Sequence, residues 1–591
     1  MNRTVLRTAS VFALAALLGA CATAPMDTAP VDTATDASDS AFGPIRQSLH
    51  RGDDDLLTAG LGIAGLRAMT PPPVADASAP TPEELRRRAI WSNWRGIADL
   101  RPGGGAGETL ASVPGREFSA LARLPGANQP HRVLLQLPDA FDPAHPCLVV
   151  APASGSRGVY GAIAVAGPWA LPRGCAVVYT DKGAGTDYVD LDTGSGVRLD
   201  GTVGVEGELA FTVEPGAAPR HGIAFKHAHS RDNPEADWGR HVRQAARFGL
   251  RVLAEQYPGH RLDAARMRVI AVGISNGGGA VLRAAEAEDD LIDAVVAGEP
   301  NVYARAEGAR PLYEYASLAA VMMPCALLAL DDWPTPPDAA ALRAAGAARC
   351  RTYAENDLLP QGDVEVQARA ALETLRDFGF DDHALRSGVV STGFDLWRSV
   401  LATYASAYGR YGPDEHPCGF RWALTGPDGA PRAATLPERA LWWSDASGIP
   451  PGNGIALIDP SQGGEDPAAA GVGCLSVLWR DHVANERVSA GVEATRAAPP
   501  RAGLPVIVVH GRDDGLIPVA FSSAPYVAMA RAAGREVPLW LIPRAQHFDA
   551  FLAFPDFGRR YVPLLPSVHA ALDAVMAHLD DPRRPLPAAA P

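Results

Sequence analysis

Short apolar runs rich in β-branched residues alternate with segments of helical periodicity through most of the chain beyond residue 131. The clearest runs predict strands at 132–137, 147–151, 175–180, 267–274, 292–297, 505–510 and 537–542. Apolar strands of this kind are typical of a parallel sheet covered on both faces, with helices as the crossover connections. The pattern therefore predicts a doubly wound, mostly parallel α/β sheet.

The best-defined helix precedes the central strand. Asn233 can cap its first turn, and Pro234 suits the position that follows. Six small or apolar residues between Val242 and Leu253 then fall on one face at helical spacing. We expect this helix to cover one face of the sheet.

The alternation weakens between residues 301 and 500. This stretch holds Trp333, Trp397, Trp442 and Trp443 and four of the six cysteines beyond Cys21. We interpret it as a large cap or lid insertion over one edge of the sheet. The core would then comprise residues 131–300 and 501–591, with residues 45–130 as an N-terminal segment packing on it.

The first 21 residues resemble an export signal, with Arg3 and Arg7 before an apolar run at 11–18. Residues 18–21, Leu-Gly-Ala-Cys, resemble a bacterial lipobox, which predicts lipid attachment at Cys21; a plain signal peptide with an incidental cysteine is the alternative. Residues 22–44 are of low complexity and predict a flexible tether. We expect an exported protein, secreted or periplasmic, with a possible outer-membrane lipid anchor.

Composition and net charge restrict the classes of partner that the protein can bind. Hydrophobic residues make up 47% of the chain and the net charge is −14, so the chain is globular and nucleic acid is excluded as a main partner. Six cysteines remain beyond Cys21, enough for three disulfides, and pairing of sequence neighbours (147–175, 325–350, 418–474) is our prediction. No cysteine or histidine spacing typical of zinc is present, and we expect no metal and no cofactor. The oligomeric state stays open.

A nucleophile is predicted at residues 273–277, Gly-Ile-Ser-Asn-Gly, between an apolar strand and a small-residue helix. A GxSxG turn presents its serine at a strained corner where side chains at the glycines would clash. The helix N-terminus there favours developing negative charge. We therefore predict Ser275 as the nucleophile and the N–H of Asn276 as an oxyanion donor; a glycine-rich turn with a capping serine is the alternative.

A nucleophilic serine needs a histidine base and an acid that orients the base. Residues 510–518, which follow an apolar strand, resemble the acid turn of α/β-hydrolases, and that alignment favours Asp514 over Asp513. His547 follows the next strand and is the predicted base. The chain order Ser, Asp, His is that of α/β-hydrolases.

Two further groups of residues carry weaker predictions. The loop after strand 147–151 is built from small residues, and the N–H of Ser156 or Arg157 can complete an oxyanion hole, unless the loop is a plain strand-to-helix turn. Lys182 and Lys226 are the only lysines of the chain. With His229, they are candidates for binding a substrate carboxylate, because a compact ammonium fills a role that Arg cannot; chance placement is the alternative.

Together these segments resemble the bacterial 3-hydroxybutyrate oligomer hydrolases. The resembling stretches are residues 54–62, 151–158, 179–185, 225–230, 274–278 and 546–551. The resemblance implies an exported α/β-hydrolase serine esterase that cleaves short chains of (R)-3-hydroxybutyrate, with Ser275 as its nucleophile. A different serine esterase of the feruloyl or tannase type, a serine peptidase of the prolyl-oligopeptidase kind and a non-catalytic oligomer-binding lipoprotein are the alternatives.

Overall fold

The structure is a computed structural model that describes residues 41–205, 207–214, 221–444, 448–449, 452, 454–482 and 485–591. The predicted signal peptide, Cys21 and nearly all of the predicted tether lie outside the described residues.

The described residues form sixteen strands. In chain order they are β1 (Arg46–His50), β2 (Gly115–Ala122), β3 (His131–Pro138), β4 (Cys147–Pro152), β5 (Ala176–Thr180), β6 (Tyr188–Asp190), β7 (Gly196–Val197), β8 (Val203–Gly204), β9 (Ile223–Phe225), β10 (Arg268–Ile274), β11 (Ala294–Gly298), β12 (Arg421–Thr425), β13 (Pro431–Arg432), β14 (Ile455–Ile458), β15 (Val506–Gly511) and β16 (Leu539–Ile542).

Nine of these strands form one sheet, in the order β1-β2-β3-β5-β4-β10-β11-β15-β16. The six strands from β5 to β16 pair in parallel, and β1, β2 and β3 extend the sheet antiparallel. All seven predicted strands are confirmed within about two residues. The N-terminal segment does more than pack on the core, because it supplies β1 and β2 to the sheet itself.

Eighteen helices occur in the described part of the chain. They are α1 (Gly62–Arg67), α2 (Pro82–Ile97), α3 (Ile163–Ala170), α4 (Lys226–His229), α5 (Pro234–Gln256), α6 (Asn276–Ala284), α7 (Leu312–Ala326), α8 (Ala339–Glu355), α9 (Val364–Phe378), α10 (Asp382–Ser387), α11 (Val389–Gly393), α12 (Leu396–Gly409), α13 (Leu436–Leu441), α14 (Ala469–Arg480), α15 (Glu486–Glu493), α16 (Ser523–Ala532), α17 (Pro555–Arg560) and α18 (Leu565–Asp580).

Helices cover both faces of the nine-stranded sheet, and alternate strand residues point into separate cores. Leu148 and Val150 of β4 pack in one core with α5, α6 and α16, whereas Val149 and Ala151 pack in the other with α3 and α18. The side chain of Asn233 accepts the N–H of Ala236 at the start of α5, as predicted. This doubly wound, mostly parallel sheet is an α/β-hydrolase fold.

Between β11 and β15 the chain adds α7 to α15 and a small sheet in the order β13-β12-β14. The segment Leu312–Ala329 within it is long and apolar enough to span a membrane, but 72% of it is buried inside the fold. It is a core helix of this insertion. Among the described cysteines, the disulfides Cys147–Cys175, Cys325–Cys350 and Cys418–Cys474 confirm the predicted pairing.

Candidate active site

Ser275 stands at the corner where β10 turns into α6. Its φ of 55° lies in a region that residues other than glycine rarely adopt. A Cβ added to Gly273 would lie 2.3 Å from the carbonyl carbon of Gly277, and one added to Gly277 would lie 2.6 Å from the carbonyl oxygen of Pro152. Both glycines are therefore required by the close packing of this turn, which lifts the Ser275 hydroxyl to the carboxyl end of the sheet.

His547 and Asp514 reach Ser275 from the turns after β16 and β15. The Nε2 atom of His547 lies 3.1 Å from Ser275 Oγ, and its Nδ1 lies 2.7 Å from Asp514 Oδ2. An ionised carboxylate can only accept, so Nδ1–H donates to Asp514 and Nε2 accepts the Ser275 hydroxyl. The three side chains form one hydrogen-bonded series.

Asp514 is held ionised inside the protein. Burial alone would raise the pKa of its carboxyl, but the charge and hydrogen bonds of His547 and His510 hold it well below its usual value. The backbone N–H groups of Leu516 and Ile517 also donate to it, at 2.9 and 2.7 Å. The alternative acid turns away, because Asp513 bonds His383 of α10.

Glu299 is a second acid beside the base, and the sequence reasoning missed it. Its Oε2 lies 3.8 Å from His547 Nδ1 and has no hydrogen-bond partner among the described residues. Burial, with the nearby charges of Asp514 and Asp549, raises the pKa of Glu299 well above its ordinary value. Its position directly after the strand β11 was the available signal, since chemistry in such sheets gathers at strand ends.

Glu299, Asp514 and His547 also form the one group of potential metal ligands found among the described residues. Their ligand atoms lie within 4.8 Å of one another. The Nδ1 of His547 is the atom that donates to Asp514, so it has no lone pair to offer a metal in this arrangement. The donor set fits a hydrogen-bonded acid and base.

The predicted oxyanion donors all belong to residues that line the pocket. The N–H of Asn276 opens α6 and has no acceptor within that helix. The N–H of Arg157 donates to the carbonyl of Ser154 at 3.2 Å, whereas the described residues contain no acceptor for the N–H of Ser156. Of the two alternatives, Ser156 is therefore the better donor.

The pocket around these groups has a cavity volume of about 100 Å³ and mainly apolar walls. Ile97 comes from α2 of the N-terminal segment, Ile274 comes from β10 of the core, and Leu396 and Val400 come from α12 of the insertion. Phe548 lies beside the base and begins a row of aromatic rings that continues through Phe551 to the half-exposed Phe394. Such a cleft suits an uncharged, extended substrate.

The remaining predicted residues do not line this pocket. Lys226 is fully buried, and its Nζ binds Asp181 at 3.0 Å and Asp187 at 3.1 Å. His229 accepts the N–H of Phe225, and burial beside His416 lowers the pKa of its imidazole to about 3.

Lys182 is also buried, and it donates to the carbonyl of Gly155 at 2.6 Å. The assignment of Lys182, Lys226 and His229 to substrate binding is therefore corrected, because none of the three lines this pocket and internal partners occupy both lysines. The Nε2 of His229 has no hydrogen-bond partner among the described residues.

Comparison with known proteins places this site in context. Residues 17–590 match the family described as 3HB-oligomer hydrolase. The chain is 37% identical over 621 residues to the D-(-)-3-hydroxybutyrate oligomer hydrolase of Burkholderia cenocepacia (strain HI2424), covering 92% of this chain and 87% of the relative. It is 35% identical over 615 residues to that of Paraburkholderia xenovorans (strain LB400), covering 92% and 85%.

Solved structures that are similar include two esterases. Feruloyl esterase B from Aspergillus oryzae matches with a TM-score of 0.34 and 12% identity, covering 76% of this chain and 77% of that one. The rice cell wall degrading esterase LipA from Xanthomonas oryzae matches with a TM-score of 0.37 and 10% identity, covering 80% and 92%.

Proposed function

Because the chain belongs to the 3HB-oligomer hydrolase family and is a carboxylic ester hydrolase, we propose that it hydrolyses short (R)-3-hydroxybutyrate oligomers, dimer, trimer and longer, to monomer. The observation that carries this proposal is the hydrogen-bonded series Ser275–His547–Asp514 opening into an apolar pocket. Ser275 is the nucleophile, His547 the general base and Asp514 the orienting acid.

The reaction proceeds in two acyl transfers. Nε2 of His547 takes the proton of Ser275 Oγ as that oxygen attacks the ester carbonyl carbon, and Asp514 stabilises the imidazolium that forms. The carbonyl oxygen becomes an oxyanion that accepts from the N–H groups of Asn276 and Ser156. His547 then gives its proton to the leaving alkoxide oxygen as the ester C–O bond breaks. Water, activated by His547, attacks the acyl-enzyme, releases the acid and restores the Ser275 hydroxyl.

The pocket supports an oligoester substrate. The repeating unit of the oligomer carries a methyl group and no charge, and the walls from Ile97, Leu396 and Val400 are apolar. The row Phe548, Phe551 and Phe394 leads from the base to the surface, and rings in such a row offer contact area to a chain longer than one unit.

Export is part of the proposal. The sequence of residues 1–21 supports a signal peptide with lipid attachment at Cys21, and three disulfides support an oxidising compartment. Cells fed labelled palmitate should label the full-length chain but not Cys21→Ala. Equal labelling of the two chains, or no label on either, would contradict a lipid anchor at this residue.

The proposed reaction is tested by acid release from (R)-3-hydroxybutyrate trimer, with wild type beside Ser275→Ala. We expect release by wild type and a loss of about four to six orders of magnitude in the variant. If the chain cleaves p-nitrophenyl butyrate and feruloyl or galloyl esters but not the trimer, the assigned substrate is wrong and the protein is a serine esterase of the feruloyl or tannase type. A wild-type chain that binds the trimer and cleaves no ester would be an oligomer-binding protein.

A further inference from the structure

The loop at residues 153–157 carries the better second oxyanion donor, and side chains from several elements hold it in place. Lys182 Nζ donates to the carbonyl of Gly155 at 2.6 Å. The guanidinium of Arg157 donates to the carbonyl of Gly96, the next-to-last residue of α2, at 2.9 Å. The carbonyl of Ser156 accepts the N–H of Gly448 at 3.1 Å. The backbone of this loop is fixed from three directions.

The side chain of Ser156 is the fourth anchor, and it belongs to a second Ser–His–acid set. Its Oγ is hydrogen-bonded to Nδ1 of His227 in α4, and His227 Nε2 lies 2.6 Å from Glu235 Oε1 in the first turn of α5. All three side chains are at most 2% exposed.

The direction of these hydrogen bonds follows from the partners. A carboxylate can only accept, so His227 Nε2–H donates to Glu235, and in the tautomer that carries its one proton on Nε2 the Nδ1 atom accepts the Ser156 hydroxyl. That bond turns the Ser156 hydroxyl toward α4, and the N–H of the same residue keeps no acceptor among the described residues while the loop lines the pocket. The Ser156 hydroxyl is therefore used in the hydrogen bond to His227, whereas the backbone N–H of Ser156 can donate to a substrate oxygen.

The same cluster reaches the other oxyanion donor. The ring of His227 packs edge-on against the ring of Tyr404 in α12, with 5.0 Å between centroids. The Tyr404 hydroxyl accepts the side-chain amide of Asn276 at 2.6 Å. Both donors are therefore tied to one buried group of side chains.

We propose that His227 and Glu235 are positioning residues, which orient Ser156 so that its backbone N–H points at the oxyanion. The inference rests on the proposed function, because it assumes an oxyanion formed at Ser275. A loop that loses this anchor would still bind the ground-state ester but would stabilise the tetrahedral state less well. The effect should fall on kcat and leave KM nearly unchanged.

The test compares Ser156→Ala and His227→Asn with wild type on trimer and on p-nitrophenyl butyrate. Ser156→Ala keeps the backbone N–H and removes only the anchor. We expect kcat to fall by about 10- to 100-fold in each variant with KM within about twofold, since one lost oxyanion donor costs about 10²–10³. The double variant should be no slower than His227→Asn alone, because both changes remove the same bond.

A boronic acid that forms a tetrahedral adduct with Ser275 supplies a second readout. Its inhibition constant should rise in proportion to the fall in kcat/KM, because the adduct, unlike the ester, places an oxygen in the oxyanion hole. A merely structural role would not move these two quantities together.

The matched control is His50→Asn. His50 is another buried histidine between a serine and an acid, with 2.8 Å to Ser48 Oγ and 2.8 Å to Asp54 Oδ2, and its partners belong to the N-terminal segment. We expect this control to lower the melting temperature without changing kcat. Wild-type kcat in Ser156→Ala and His227→Asn, or an equal kcat loss in His50→Asn, would overturn the inference.

Failure of the proposed function would give results that differ from those that overturn the inference. A wild-type chain active on p-nitrophenyl butyrate but not on trimer would refute the substrate, and the kcat comparison on p-nitrophenyl butyrate would still decide the role of His227. A wild-type chain inactive on both esters would refute the function and the inference together.

Discussion

Two Ser–His–acid sets each contribute their serine to the lining of one pocket, but they bond that serine through different nitrogens of the histidine ring. In the first, Ser275 bonds Nε2 of its histidine and Asp514 bonds Nδ1. In the second, Ser156 bonds Nδ1 of its histidine and Glu235 bonds Nε2. The first set places the Ser275 hydroxyl at a strained turn above a helix N-terminus, and the second bonds the Ser156 hydroxyl to His227 of α4.

Under the proposed function, placement and not residue type distinguishes the nucleophile Ser275 from Ser156. Ser275 has a positive φ, the free N–H of Asn276 beside it and a 7% exposed residue surface that reaches the pocket. Ser156 lines the same pocket but is 0% exposed, and its hydroxyl is hydrogen-bonded to His227. In the proposed reaction a proton passes through His547 in every turnover, whereas His227 takes no part in proton transfer.

The largest contrast is expected between the two acids. Asp514→Asn should lower kcat by about 10⁴-fold, because an amide no longer holds the reactive tautomer or stabilises the imidazolium. Glu235→Gln should lower it by less than about tenfold, because the amide oxygen still accepts from a neutral imidazole. Steady-state kinetics on p-nitrophenyl butyrate measures both, and equal losses would erase the distinction between the two sets.

Tyr404 joins the two sets, and its hydroxyl is the next test. Tyr404→Phe keeps the ring against His227 and removes the acceptor of Asn276, so we expect kcat to fall about five- to tenfold, the value of one hydrogen bond of about 1–1.4 kcal/mol. Tyr526→Phe is the control, because the buried Tyr526 hydroxyl has no hydrogen-bond partner among the described residues. A loss of kcat in the control alone would refute the assignment.

Recognition of the longer substrate should lie outside both sets, along the row of aromatic rings that runs from Phe548 to Phe394. Phe394 is 45% exposed and stacks on Phe551 with 5.1 Å between centroids. We expect Phe394→Ala to raise KM for the trimer about three- to fivefold, near 1 kcal/mol of aromatic contact, and to leave p-nitrophenyl butyrate unaffected. Leu436→Ala, at another half-exposed apolar residue, should change neither. A KM shift on both esters would place Phe394 nearer the scissile bond.

The smallest effect is expected in the pH dependence of kcat, through Lys182, which binds the 153–157 loop. Burial lowers the pKa of Lys182 to about 8, against the opposing charges of Glu235 and Asp181, and the neighbouring His241 is itself kept neutral by burial. The ammonium is present below that pH and is lost as pH rises through about 8. Its stronger bond to Gly155 then weakens, so kcat should fall about two- to fivefold between pH 7 and 9.

Lys182→Met has no ammonium at any pH. It should show the reduced kcat already at pH 7 and no further decline to pH 9, in a pH series of initial rates. A wild-type decline that persists unchanged in Lys182→Met would assign the alkaline loss to another group.

The sheet and the set of Ser275, His547 and Asp514 could be predicted because each is encoded locally. An apolar run fixes a strand, two glycines fix the turn at Ser275, and chain order relates Asp514 and His547 to it. The second set was not predictable in this way. Ser156, His227 and Glu235 come from three segments, and only the packing of α4 and α5 against the 153–157 loop brings them together.

Whereas the second set was missed, the two lysines received a role that the structure contradicts. Their rarity suggested function, and the interpretation chose the substrate as their partner. In the fold Lys226 forms ion pairs with Asp181 and Asp187, and Lys182 donates a hydrogen bond to the carbonyl of Gly155. Burial of the lysine decides between substrate binding and an internal role. Whether a loop residue is buried depends on the folded chain and cannot be predicted from the local sequence.

The central claim is that Ser275, and not Ser156, is the nucleophile. A fluorophosphonate reacts only with an activated serine, and mass spectrometry of the digested protein identifies the residue that carries it. The account predicts one label per chain, on Ser275, and no label on Ser156. A label on Ser156, or full activity in a chain whose Ser275 stays unlabelled, would contradict it.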